Sequence, residues 1–286
     1  MSEFAKFVDA FTPAEVANKV KTLGVSKANM AFLPLLVLSM MAGAFISFGA
    51  MYYTVAMTQP AEAYGAAKIL GGLSFSLGFI LVAIVGGELF TGNNLIVMAW
   101  ANRRITLGRL LKNWGLVYFG NAIGALITVY LVFVSGFLDG GHHAVGAAAL
   151  KAGLVKVDLT TTEAFVRGIF CNALVCLASW MVYASRTVVD KVFAVIFPIS
   201  AFVAMGFEHC IANMFMIPAA MVASLNPEIV AASGISADAM QNLTLSGLIA
   251  NIIPVTLGNI FGGSVMVGMS LYVVYLYGHE DDEEEA

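Results

Sequence analysis

Charge is what this chain has least of. Of its 286 residues only 14 are Lys or Arg and 18 are Asp or Glu, together 11%, against roughly a quarter in a soluble domain. Six of those acids crowd into the last seven residues, Glu280, Asp281, Asp282, Glu283, Glu284 and Glu285, so the remainder is barer still. A net charge of -4 and the absence of a basic face exclude a nucleic-acid binder. Cysteine is sparse too. Cys171, Cys176 and Cys210 have neither the spacing of a paired-cysteine metal site nor the number of a disulfide framework, and they read as small buried hydrophobes. No His-Glu-x-x-His metal motif and no nucleophile-elbow serine occurs in the sequence, so neither a metal nor a cofactor is expected. An intramembrane enzyme using Glu208, His209 or Cys210 would need three sequence neighbours to converge, which argues against that class.

What the chain has is apolar length: 60% hydrophobic residues, a mean hydropathy of +0.88, and 28 glycines that let helices approach closely in lipid. Six stretches, residues 31–57, 69–102, 113–138, 164–184, 192–225 and 245–277, each reach the about 20 residues needed to span a bilayer. The first 30 residues carry four lysines and lack the form of a cleaved signal. Within them, Thr12-Pro13-Ala14-Glu15 predicts a capped helix start, with Val16, Val20 and Leu23 on one face and Gly24 as the stop. Such a helix lies on the membrane surface or against the bundle. Basic loops stay in the cytoplasm. With the amino-terminus inside, Lys6, Lys19, Lys21, Lys27, Arg103, Arg104, Arg109, Lys112, Arg186 and Lys191 fall inside, and only Lys68, Lys151 and Lys156 outside. Both termini are therefore expected in the cytoplasm, flanking a membrane domain 31–277 between an amphipathic segment 1–30 and an acidic tail 278–286.

The second and fifth stretches are too long for simple helices, and each holds an acid near its middle. Glu88 lies in Val85-Gly86-Gly87-Glu88-Leu89-Phe90-Thr91-Gly92-Asn93-Asn94, and Glu208 in Met205-Gly206-Phe207-Glu208-His209-Cys210-Ile211-Ala212-Asn213. Ionisable groups at membrane depth face a cavity or a partner, and the glycines allow the backbone to leave helical geometry. Both stretches are therefore expected to be broken helices whose ends meet inside the protein. The halves also repeat, since Gly120-Asn121-Ala122-Ile123-Gly124 recurs as Gly258-Asn259-Ile260-Phe261-Gly262. Three spans per half, residues 31–138 and 164–277, invert the second half relative to the first, an arrangement that places a substrate path at the interface. The expectation is an all-α membrane protein of six transmembrane helices, an aquaporin-like 3+3 inverted repeat. Glu88 and Glu208 are expected to accept backbone N–H groups freed by the breaks. Asn121 and Asn259 are expected to tie the broken segments to the bundle or to touch substrate.

These residues resemble the formate/nitrite transporter family, most closely its formate channels, over nearly the whole chain. The similarity rests on Glu88-Leu89-Phe90-Thr91, on Gly206 through Met214, on Asn172 within Cys171-Asn172-Ala173-Leu174-Val175-Cys176, and on Ile253-Pro254-Val255-Thr256-Leu257-Gly258-Asn259. The resemblance implies a homopentamer in a bacterial inner membrane, each protomer passing small monovalent anions, formate first and nitrite or hydrosulfide as alternatives. It implies that His209 is the pore histidine, with Thr91 and Asn172 as its polar partners, and that Lys156 draws anions at the outer vestibule. Phe75, Phe79, Leu89, Phe90 and Phe202 are the candidate constrictions; at Phe79 the formate channels are expected to carry leucine. Arg167 is expected to snorkel or to pair at a subunit contact. A neutral-solute pore of the aquaporin type lacks support, because its paired Asn-Pro-Ala boxes are absent and Asn226-Pro227-Glu228 is expected in a loop.

Overall fold

The computed structural model describes residues 10–58 and 63–278; the acidic run from Glu280 and the first nine residues, Lys6 included, lie outside them. Helix α1 (Pro13–Ala28) opens with the expected cap: the Thr12 side chain accepts from Glu15 N–H, and the Glu15 carboxylate accepts from Thr12 N–H at 2.7 Å. It does not stop at Gly24. It runs on to Ala28, and the glycine serves packing instead, because a Cβ there would lie 3.0 Å from that of Ala99.

Three spans follow. They are α2 (Phe32–Ala56), α3 (Tyr64–Val85) continued after a break by a 3₁₀ turn (Gly92–Ile96) into α4 (Val97–Ala101), and α5 (Leu107–Val134). The second half holds α6 (Ala144–Val157), α7 (Thr161–Ala184), α8 (Val188–Ala204), α9 (Cys210–Ala223) and α10 (Pro227–Ser233). It ends with α11 (Leu245–Ile260), which passes through a π-helical turn (Phe261–Met269) into α12 (Ser270–Tyr275). Among the described residues α2, α3, α5, α7 and the α11–α12 rod are each long and apolar enough to cross a membrane. The remaining path is shared by α8, of 17 residues, and α9, of 14, with the expected break between them. Phe119, Tyr130 and Phe133 on α5 and Phe193 and Phe197 on α8 are each more than half exposed, while Asn94, Asn121, Asn172, Asn213 and Asn259 are fully buried. This is the reverse of a soluble protein's distribution, and it suits a bundle surrounded by lipid.

Two segments outside the expected spans fold as helices, one of them the expected loop at Asn226. The stretch between the repeats contains α6, whose alanine- and glycine-rich sequence is too short to span but buries Val145, Ala148, Leu150 and Leu154 against α9. It does for the second half what α1 does for the first, where α1 packs on the 3₁₀ turn and α4. Asn226 likewise caps α10, accepting from Glu228 N–H at 2.9 Å, with Pro227 at the first helical position.

The glycine repeats serve close packing. A Cβ at Gly124 would collide with the Met40 carbonyl of α2, and one at Gly262 with the Ile169 carbonyl of α7. Gly115, on the same helix as Gly124, has open space around it. In detergent-solubilised protein, Gly124→Ala should lower the melting temperature, since overpacking costs about 1–3 kcal/mol. Gly115→Ala should hold or raise it through the roughly 1 kcal/mol advantage of alanine in a helix. Equal shifts of one sign would show that the Met40 contact does not limit helix approach.

Candidate functional site

Each break starts at a glycine in the left-handed region, Gly86 with φ 83° and Gly206 with φ 74°, a conformation that costs glycine little. The chain then runs extended, and backbone groups that left the helix must find partners inside the protein. Glu88 N–H donates to the Leu38 carbonyl and Glu208 N–H to the Arg167 carbonyl, both at 3.3 Å. The half-helix starts are held by asparagine. Asn121 Oδ1 accepts from Phe90 N–H at 2.9 Å, and its Nδ2 donates to the Glu88 carbonyl at 2.9 Å and the Ser39 carbonyl at 2.7 Å. Asn259 repeats the pattern on Cys210 N–H at 2.9 Å, the Glu208 carbonyl at 2.9 Å and the Gly168 carbonyl at 2.8 Å.

Contrary to the expectation that they cap backbone N–H groups, the two glutamates take side-chain donors. Lys27 Nζ donates to Glu88 Oε1 at 2.6 Å, and Lys156 Nζ to Glu208 Oε1 at 3.0 Å. Asn93 Nδ2 donates to Glu88 Oε2 at 2.7 Å and to Asn113 Oδ1 at 3.0 Å; Asn113 Nδ2 donates back to the Lys27 carbonyl at 3.0 Å. In the second half Asn213 Nδ2 reaches Glu208 Oε2 at 2.6 Å and Asn251 Oδ1 at 2.7 Å, and Asn251 Nδ2 reaches the Lys156 carbonyl at 2.9 Å. One buried acid is thus neutralised in each half by a lysine from a short helix lying outside the spans. Burial alone would lower the proton affinity of Lys27; Tyr183 and then Glu88 outweigh it, so its pKa stands above the usual lysine value. Lys27, Asn93, Asn113, Asn213 and Asn251 were not singled out from sequence. The signal that could have found the pair on the breaks is the identical five-residue spacing of Glu88–Asn93 and Glu208–Asn213.

Two cavities approach the breaks. One, of about 290 Å³, is reached past α1 and lined among others by Lys27, Phe79, Glu88 and Leu89. The other, of about 350 Å³, is lined among others by Phe75, Lys156, Phe202, Glu208 and His209. They share no lining residue. Counted from its glycine, Leu89 holds in the first half the place His209 holds in the second, so one break presents a leucine and the other an imidazole. Thr91 Oγ1 lies 3.0 Å from His209 Nε2 and joins the breaks across the repeat boundary. His209 Nδ1 accepts from Ala212 N–H at 3.1 Å, so a neutral ring carries its proton on Nε2 and offers it to Thr91. Phe202 stacks on the imidazole at 5.9 Å between centroids, and Phe75 meets Phe202 edge-on at 5.8 Å.

The remaining expected residues are placed as follows. Phe79 is buried, 4% exposed, and lines the α1-side cavity together with Leu89. Phe90 turns its ring onto Tyr118 at 4.9 Å and Trp114 at 6.1 Å. Asn172 does not hold the imidazole: both its N–H groups are spent, on Asn94 Oδ1 at 2.8 Å and the Asn259 carbonyl at 2.7 Å, and it bonds to the break through Asn259. Arg167 lies 3.9 Å from Glu163 and borders the second cavity.

Truncating one partner of a buried ion pair leaves an unpaired charge, about 3–5 kcal/mol, whereas neutral replacement of both is far less harmful. The Lys156 and Glu208 side chains are 11% and 4% exposed. Lys156→Met should therefore lower the melting temperature in detergent, and adding Glu208→Gln to it should restore most of the loss. A double variant less stable than the single one would deny that the lysine serves to neutralise the acid.

Comparison with known proteins agrees with this geometry. The family model described as formate/nitrite transporter matches residues 14–273. The chain is 43% identical to the formate channel FocA of Escherichia coli (strain K12) over 272 residues, 94% of this chain and 95% of that one. It is 40% identical to the formate channel FocA of Haemophilus influenzae over 264 residues, 91% and 93% of the two chains. Among solved structures, one described as a pentameric formate channel with formate bound superposes with a TM-score of 0.79 at 41% identity, covering 86% of this chain and 98% of the other. One described as an FNT family ion channel gives 0.78 at 26% identity, covering 91% and 98%. The broken helices, the matched halves and these similarities over almost the full length lead to one conclusion: the chain is a multi-pass membrane protein of the formate/nitrite transporter family, whose members transport and are not enzymes.

Proposed function

We propose that this protein passes formate across the membrane between its two breaks, with His209 supplying the proton that lets the ion cross. The observation that carries the reading is the His209–Thr91 pair, 3.0 Å apart and buried, between two cavities that share no residue. The formate channels at 43% and 40% identity support formate as the ion; nitrite and hydrosulfide are the alternatives within the family. The pentameric relative supports a homopentamer with one pore per protomer. The excess of basic residues on the α1 side supports placing both termini in the cytoplasm of a bacterium, with the protein in its inner membrane.

A bare ion moved from water into a dry interior faces an idealised cost of order 20 kcal/mol. Lys27 and Lys156 raise the local potential in the two cavities, although Glu88 and Glu208 offset most of it, so the apolar gap at Leu89, Phe75 and Phe202 still excludes a charged carboxylate. A protonated imidazole removes the obstacle: it transfers one proton to formate, the ring returns to neutral, and formic acid crosses without net charge. In the resting geometry Nδ1 accepts from Ala212 N–H, so the doubly protonated ring must give up that bond. Thr91 then keeps Nε2 oriented while the other nitrogen exchanges its proton. Formate flux into proteoliposomes should rise as pH falls, and His209→Phe should cut it by about ten-fold or more, equivalent to ~1.4 kcal/mol, and flatten the pH profile. Unchanged rate and unchanged profile would remove His209 from the mechanism.

A further inference from the structure

We propose that the hydrogen bond between Tyr118 and Thr256 is a strut that sets the separation of the two breaks, making these two residues determinants of which acids pass. This rests on the reading that the path runs between the breaks.

Tyr118 on α5 and Thr256 on α11 hold equivalent places in the two halves, each three residues before the asparagine that holds its break, Asn121 or Asn259. Residues three apart share a helix face, so on each of these helices the two side chains lie on one side. On α5, Asn121 takes Phe90 N–H while the Tyr118 ring meets the Phe90 ring edge-on at 4.9 Å. On α11, Asn259 takes Cys210 N–H, and Thr256 lies one turn before Asn259 on the same helix. Phe90 and Cys210 each follow the residue that faces a cavity, Leu89 or His209. Tyr118 Oη then meets Thr256 Oγ1 at 2.9 Å. The path Leu89–Phe90–Tyr118–Thr256–Asn259–Cys210–His209 therefore links the two breaks through α5 and α11. Thr91 and His209 link the breaks directly. Neither Tyr118 nor Thr256 lines either cavity, so their influence on permeation is exerted through Phe90 and through Asn259, which holds Cys210.

The sequence does not require this bond for burial. Tyr118 and Thr256 are only partly buried, and phenylalanine and valine would fill the same places as apolar groups. A bond of this kind is worth about 1 kcal/mol, enough to shift a ratio of rates about five-fold.

The test is the ratio of lactate to formate flux in proteoliposomes for wild type, Tyr118→Phe, Thr256→Val, the double variant and Thr256→Ser. Each of the first two single variants should raise the ratio about five-fold, the double variant should do no more than either, and Thr256→Ser, which keeps the hydroxyl, should match wild type. Unchanged ratios, or effects of Tyr118→Phe and Thr256→Val that multiply in the double variant, would overturn the strut. A wild-type protein that admits no formate refutes the transport reading instead. The strut is then judged by labelling of Cys210 with a small uncharged thiol reagent in a Cys171→Ala, Cys176→Ala background. Tyr118→Phe should accelerate that labelling about five-fold if the strut holds Cys210 in place, and an unchanged labelling rate would reject it.

Discussion

A peptide group stripped of its helical partner inside hydrocarbon costs several kcal/mol, and this chain breaks two helices at that depth. Everything else in the molecule follows from meeting that demand. Asn121 and Asn259 each give one acceptor and one donor to the loosened backbone and a second donor to a neighbouring helix, at Ser39 or Gly168, and all three bonds are made in both halves. An amide can do this where a carboxylate cannot, because it donates and accepts at once. The glutamates beside them would carry unshielded charge, and the lysines of α1 and α6 neutralise them. The short helices are thereby drawn into the bundle: α1 ends at the residues that place Lys27, and α6 at those that place Lys156.

The halves are matched in support and unmatched in what they support. Lys27, Glu88, Asn93, Asn113 and Asn121 have counterparts in Lys156, Glu208, Asn213, Asn251 and Asn259, bonded alike except that Lys27 also donates to Asn93 Oδ1 at 3.1 Å while Asn213 Oδ1 has no partner. Upon this common frame one break presents Leu89 and the other His209. A symmetrical pair of leucines would form only an apolar barrier, and a pair of imidazoles would repel each other when both are charged. One of each leaves an imidazole facing one cavity and a leucine facing the other. Asn172, expected to touch the imidazole, belongs to the frame instead, binding Asn94 and the Asn259 carbonyl, so that Thr91 alone of the polar pair reaches the ring.

The breaks, the spans and the repeat could be read from sequence because each leaves a local mark: an acid just after a glycine in an apolar run, or a recurring Gly-Asn-x-x-Gly. The site histidine and Thr91 came from the family resemblance, and the structure brings them together. What could not be read was the partner of each glutamate. Lys27 and Lys156 lie far from the breaks in sequence, in segments whose own patterns speak of surface helix or loop, and nothing local tells a neutralising lysine from a solvated one. The same holds for Asn113 and Asn251, single amides in long apolar helices. Gly24 misled for a related reason: a glycine near a helix end suggests a stop, whereas here it allows contact with Ala99. The role expected of Glu88 and Glu208 failed because asparagine competes better for backbone that needs both donors and acceptors.

The central claim is that Leu89 and the aromatic pair above His209 face opposite aqueous spaces with the breaks between them. It is tested most directly by side-specific labelling with a membrane-impermeant thiol reagent, in a background with the three native cysteines replaced by alanine. Leu89→Cys should react only from the α1 side of oriented vesicles, and Phe202→Cys only from the other. Reaction of both from the same side would place the path elsewhere and contradict the account.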